Sequence, residues 1–301
     1  MKDVNRPEVE HIVSLVLKEL GHDKPASALR QDHHPERLSE PPESTDPDCI
    51  YFSEEKEWGI EHPHNEQVLA RARSLTPARI GIGRAGTRMK TKSYLQFRLD
   101  QAAAHDAVFK EVSPRFLEEL GLPILHTQAE TMEQYLMDLD SGRRLSEESE
   151  KWLKAHASKG KQVQIIVSDG LSSSAIEANI KDLLPALIQG LELKKISLGQ
   201  PVFIKRGRVW VQDQVAAIVN CDVVISLIGE RPGLATAESL SAYLIYRPNQ
   251  NSVESDRTVI ANIHKGGLPP VEAGAYLADL IEDILRLKVS GVKYTQLREG
   301  K

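Results

Sequence analysis

The sequence predicts an α/β fold, a helical N-terminal part followed by a mostly parallel sheet. From residue 161 onward, short apolar runs alternate with helix-length amphipathic stretches, the pattern of a sheet covered on both faces. Polar and glycine residues collect after 167, 228 and 263, at the carboxyl ends of strands, where such sheets bind ligands. Residues 50–160 carry helical stretches broken by proline and glycine,.

The first element is a helix over 7–20. Val9, Ile12, Val13, Val16, Leu17 and Leu20 fall on one stripe, with Pro7 suited to its first turn and Gly21 to its stop,. Residues 21–49 follow as a linker rich in proline, histidine and acidic residues, with little to bury. An amphipathic helix on a tether suits docking to another protein, and folding back on the domain is its equal alternative. Within 50–160 the predicted helices are 64–74, 91–109, 114–120, 130–137 and 146–157. Pro77, Gly81, Gly83 and Gly86 break the chain between the first two, amid Arg84, Arg88, Lys90 and Lys92. Such a turn can hold an anion through backbone N–H groups, meet an acidic partner, or simply be solvated.

In 161–301 the strand-like runs are 163–167, 201–205, 209–211, 222–228, 242–246 and 258–263. Helices are predicted over 173–190, 213–219 and 271–289.

Composition narrows the function. The 301 residues carry 38 Lys and Arg against 43 Asp and Glu, a net charge of −5, which argues against a nucleic-acid module built on bulk positive charge. Cys49 and Cys221 are the only cysteines, too few for a four-thiolate zinc site or a disulfide framework. No apolar run approaches the roughly 20 residues of a membrane span, and residues 1–20 lack a signal-peptide core. A reduced, cytosolic setting is expected.

Several motifs invite chemistry. Gly81-Ile82-Gly83-Arg84-Ala85-Gly86 matches G-x-G-x-x-G literally, but it lacks the apolar strand before it that a dinucleotide site needs. Asp169-Gly170-Leu171-Ser172 is not a nucleophile elbow, and Ser172 is expected to cap the following helix,. Asp32-His33-His34 begins a cobalt-ligating Asp-x-His-x-x-Gly, but Arg37 stands where glycine is required. Glu230, after an apolar strand, pairs with Arg231 or a neighbouring arginine, or accepts amide hydrogen bonds from a ligand, with Pro232 and Gly233 shaping its loop,. Arg257 and His264 bracket the next strand. The residues by themselves leave open a stand-alone nucleotide-binding oxidoreductase and a non-catalytic packaging adaptor.

GRAGTR (83–88), VSDGLSSSAI (167–176), GERPGL (229–234), ESLSAY (238–243), DRTVIANIHKGG (256–267) and PPVEA (269–273) together resemble the small (light) subunit of ethanolamine ammonia-lyase, over about residues 58–290. The resemblance implies a helical N-terminal part and a Rossmann-like, cobalamin-binding C-terminal domain. It implies a TIM-barrel large subunit as partner, with adenosylcobalamin between the two chains and a hetero-oligomer that is a dodecamer. The implied reaction converts ethanolamine to acetaldehyde and ammonia through a 5′-deoxyadenosyl radical formed by cobalt–carbon homolysis. The implied setting is the bacterial cytoplasm, inside a microcompartment, with residues 7–20 serving packaging. The family's cofactor contacts fall on Val209, Glu230 and Val259. Position 259 is often Cys in the family, so a backbone contact survives here and a thiol contact does not. The family keeps its substrate in the large subunit, so no catalytic residue is assigned to this chain. Cobalt is carried by the cofactor, whose own base stays on the metal.

Overall fold

The computed structural model of the chain describes residues 59–60, 62–76 and 78–300. The predicted 7–20 helix, the 21–49 linker and Asp32-His33-His34 lie outside the described residues. The chain divides into two bodies between residues 102 and 103.

The first body holds helix α1 (Glu66–Ser74), opened by Asn65, whose Oδ1 accepts the Val68 N–H at 3.0 Å,. Strands β1 (Arg84–Ala85) and β2 (Arg88–Met89) form a small hairpin ahead of helix α2 (Thr91–Phe109). The Gly-x-Gly-x-x-Gly run therefore ends in a hairpin turn. No strand leads into it and no helix opens within it, which removes the dinucleotide reading. Its arginines 84 and 88 are exposed.

The second body comprises α3 (Pro114–Leu120), β3 (Ile124–His126), α4 (Met132–Met137), α5 (Glu147–His156), β4 (Val163–Ser168) and α6 (Ser173–Leu193). It continues with β5 (Val202–Lys205), α7 (Val211–Val219), β6 (Val223–Gly229), β7 (Leu240–Tyr246), β8 (Thr258–Ile263), α8 (Pro270–Leu287) and α9 (Gly291–Arg298). Six strands form one sheet in the order β3-β5-β4-β6-β7-β8. The first four are mutually parallel, and β7 is antiparallel to both of its neighbours. This is the mostly parallel, Rossmann-like α/β architecture that the sequence predicts. Every residue of β4 and β6 is buried, which is why these strands read as near-continuous apolar runs.

The sheet splits the interior in two. Val163, Ile165 and Val167 of β4 pack with α6, α8 and Phe116 of α3. Ile166 of β4 and Ile204 of β5 face the other way, with Leu153 of α5 and Val215 of α7. Each fully buried Leu or Ile is worth about 1.5–3 kcal/mol of transfer free energy, so both layers are needed to hold the central strands.

Three elements depart from the sequence reading. Residues 124–126, inside the stretch expected to be mainly helical, add a parallel edge strand beside β5. Residues 209–211 are not a strand: Val209 and Trp210 lie in a turn, and buried Val211 opens α7. Three apolar residues do not distinguish a strand from a buried helix start. Helix α9 was not predicted; α8 stops at Lys288 (φ 55°), and Ser290 precedes the new helix.

Candidate functional site

After β4 the chain runs to α6 on one face of the sheet, and after β5 it runs to α7 on the other. The neighbouring carboxyl ends of β4 and β5 therefore splay apart, the geometry in which open α/β sheets place ligands. The loop after β6 approaches from the opposite flank of β4.

Close packing holds these loops. Gly170 (φ 53°) sits where an added Cβ would lie 2.5 Å from the Gly229 carbonyl oxygen. At Gly229 an added Cβ would lie 2.1 Å from the Ser172 oxygen and 2.4 Å from that of Asp169. Only glycine fits this approach. The Leu171 N–H donates to the Gly229 carbonyl at 2.9 Å. Ser172 caps α6 as expected, accepting the Ala175 N–H at 3.1 Å, while its hydroxyl donates to the Ala237 carbonyl. It is buried structure rather than a nucleophile.

Asp169 is buried beneath the loops, and its Oδ1 accepts the Arg206 N–H at 2.6 Å. Burial pushes its carboxyl up to about 6, opposed by hydrogen bonding from the Arg206 backbone and by the Arg206 charge,. Ser168 Oγ accepts the Gly207 N–H at 3.1 Å. Arg206 itself is left-handed (φ 55°),. Its guanidinium donates to the Glu130 carbonyl at 2.9 Å and pairs with Glu111 at 2.5 Å. The end of β4 thus fixes the turn that leaves β5.

Beyond that turn a shallow cavity of about 200 Å³ is lined by Tyr135, Arg143, Arg208, Val209, Trp210, Glu230 and Tyr243, among others. Tyr135 is buried and donates its hydroxyl to the Gly207 carbonyl at 3.2 Å. Trp210 lies between the guanidinium groups of Arg143 (5.5 Å) and Arg257 (4.4 Å). Arg257 is buried and pairs with Asp213 at 2.5 Å. Tyr243 donates to Glu230 Oε1 at 2.6 Å. The Glu230–Arg231 pairing is not made; Arg231 is exposed.

Val209 and Glu230 therefore share one cavity. Val259 lies outside its lining, on β8, 44% exposed and paired in register with Tyr243. Directly opposed residues of an antiparallel pair share a face, so Tyr243 stands between Glu230 and Val259. Of the strand-end pair noted in the sequence, Arg257 turns inward to Asp213, and His264 makes local bonds to Asn262 and the Gly266 N–H. Sequence reasoning missed Tyr135, Arg143, Trp210 and Tyr243. Trp210 adjoins Val209 in the chain and could have been found. Tyr243 required the β6–β7 register, which sets it opposite Ser226.

Among the described residues, no group of three or more His, Cys, Asp or Glu is placed to hold a metal ion. No described helix is long and apolar enough to cross a membrane. Burial pushes the Cys221 thiol up to about 12, far from a reactive thiolate.

A cavity at the strand ends of a mostly parallel sheet, walled by arginine, aromatic and carboxylate side chains, is the candidate site of this α/β chain. A family model described as ethanolamine ammonia-lyase light chain (EutC) matches residues 66–295. The chain is 50% identical to the ethanolamine ammonia-lyase small subunit of Clostridium tetani over 233 residues, 77% of this chain and 79% of that protein. It is 44% identical over 250 residues to the small subunit of Listeria innocua, covering 83% and 85% of the two chains. It is 45% identical over 239 residues to that of Lachnoclostridium phytofermentans, covering 79% and 81%. The chain belongs to the ethanolamine ammonia-lyase small-subunit family, and is a subunit of a lyase.

Proposed function

We propose that this chain is the small subunit of an adenosylcobalamin-dependent ethanolamine ammonia-lyase, converting ethanolamine to acetaldehyde and ammonia with a TIM-barrel large subunit. Its strand-end cavity forms one wall of the cofactor site. The carrying observation is Glu230. One carboxylate oxygen is tied to Tyr243, while the side chain lines a cavity in which, among the described residues, it meets no cation.

The residues fit the cofactor. A corrin is rimmed by primary carboxamides, which are donors and acceptors at once. Glu230 would accept their N–H groups, Val209 would present backbone and apolar surface, and Val259 would extend the contact along β8. The cavity, about 200 Å³, falls below the roughly 300–1,000 Å³ that encloses even a drug-sized ligand, which supports a site shared with a second chain. Bound adenosylcobalamin supplies the radical chemistry. This chain's own share is to bind the cofactor, orient it through the loops fixed by Asp169 and Gly229, and exclude water from that side. The substrate belongs to the large subunit, and no residue here touches it.

The wider assembly follows the family: a dodecamer housed in a bacterial microcompartment, with the 1–20 helix on its 21–49 tether as the packaging segment. The stretch 50–160, expected to be mainly helical, and the cofactor domain 161–301 complete this organisation, with strand 124–126 lent to the cofactor domain's sheet. Acetaldehyde release from ethanolamine with adenosylcobalamin tests the function. Activity is expected from the co-purified pair and not from either chain alone; an inactive pair that binds no cofactor refutes it. Glu230→Ala in the pair is expected to raise the cofactor Kd about tenfold, the worth of one hydrogen bond to a charged group. An unchanged Kd would remove Glu230 from the site.

A further inference from the structure

We infer that Arg208 is a second polar anchor of this site, donating from its guanidinium to acceptor oxygens of the bound cofactor; the inference rests on the cofactor-site reading above. Arg143 and Arg208 line the strand-end cavity, Arg206 precedes Arg208 by two residues, Arg257 lies over the Trp210 ring of the lining, and three of these four are neutralised. Arg206 meets Glu111, Arg257 meets Asp213, and Arg143 meets Asp140 at 3.0 Å. Among the described residues Arg208 meets no carboxylate. Its Nε is buried with no hydrogen-bond partner, a state shared by the Nε of Arg143 and of Arg206, so the missing carboxylate is what sets Arg208 apart. Among the described residues its one side-chain hydrogen bond runs from Nη2 to the Tyr135 carbonyl at 2.5 Å.

The guanidinium is nevertheless held in place. It stacks on the buried Tyr135 ring, 4.5 Å from the centroid,. Its backbone N–H donates to the Gly142 carbonyl at 2.8 Å. Gly142 is itself pressed on the pair: an added Cβ would lie 2.8 Å from the Tyr135 ring and 3.0 Å from Arg208 Cγ. A half-buried cation that is pinned but not neutralised is costly unless a ligand supplies acceptors. Fixing the fork in advance lowers the entropy lost on binding. Across the same cavity Glu230 offers an acceptor. A primary carboxamide, with N–H for Glu230 and C=O for Arg208, satisfies both, and a phosphodiester oxygen satisfies Arg208 alone.

The test measures binding of adenosylcobalamin to the two-subunit complex by its absorbance change, without turnover. Arg208→Met is expected to raise Kd about tenfold to a hundredfold, the range of one or two charge-assisted hydrogen bonds. Arg286→Met, which removes an equal charge from helix α8, paired there with Asp283 and outside the cavity lining, is expected to change it less than about threefold,. Arg208→Lys keeps the charge and most of the stem but loses the fork, and is expected to fall between wild type and Met. If Arg208→Met does not assemble, the Lys variant decides. Adenosylcobinamide, which lacks the nucleotide phosphate, separates the two acceptors. A penalty that persists with it assigns the corrin carboxamides, and one that vanishes assigns the phosphodiester. An assembled Arg208→Met or Arg208→Lys complex with wild-type Kd, or equal losses for Arg286→Met and Arg208→Met, overturns the inference. A wild-type complex that binds no adenosylcobalamin overturns the cofactor-site reading itself.

Discussion

Replacing Asp169 with Asn converts a buried, ionisable support into a neutral one of nearly the same shape. Asp169 is 2% exposed, and burial moves its carboxyl from 3.8 to about 6. Between those values the native chain holds a proton that the unfolded chain has released. The native state thus binds more protons, and stability falls as pH rises through this window. The contribution is fully present below pH 3.8 and gone above about 6, and the displacement corresponds to about 3 kcal/mol. Asn does not titrate, so the variant lacks this slope. Its carbonyl oxygen can still accept the Arg206 N–H, and any misfit of its amide group is a constant, independent of pH. Urea unfolding of wild type and Asp169→Asn at pH 4, 5, 6 and 7 reads the difference directly. The gap between them should move in favour of the variant by about 3 kcal/mol from the acid end to the neutral end. Parallel stability curves would refute a buried carboxylate with a raised value at the end of β4.

Two further substitutions probe the same frame. Gly229→Ala forces a Cβ against backbone oxygens at 2.1 and 2.4 Å. It is expected to cost several kcal/mol, seen as a Tm drop and a loss of cofactor binding; a wild-type Tm would show that the β4 and β6 loops can part. Arg257→Met leaves the mostly buried Asp213, whose carboxyl burial already raises, without its partner. The expected loss is about 3–5 kcal/mol by chemical denaturation at pH 7, and it should shrink in acid as Asp213 protonates.

Helices were legible where a local rule placed them. Ser113, Ser146 and Ser172 each cap the helix that follows, and a cap is written within four residues. The central strands were legible because burial on both faces demands unbroken apolar runs, as in 163–168 and 223–229. The short strand 124–126 was not. Three residues carry no period, and it exists because β5 offers it an edge to pair with.

The sequence by itself determined the fold class and the placement of loops at strand ends, because each depends on patterns a few residues long; Glu230, proposed here as a cofactor contact, was singled out by its place after an apolar strand, and Val209 by the family resemblance alone. Tertiary structure alone decided which residues share the cavity. Tyr135 reaches Gly207 across 72 positions of chain. Tyr243 reaches Glu230 only because β7 runs antiparallel to β6 with Ser226 opposite Tyr243. Arg208 and Glu230 come to one cavity from the ends of β5 and β6, yet each is held by a tyrosine, Arg208 at the Tyr135 carbonyl and Glu230 at the Tyr243 hydroxyl. Strand order and register are long-range properties, and no local period encodes them.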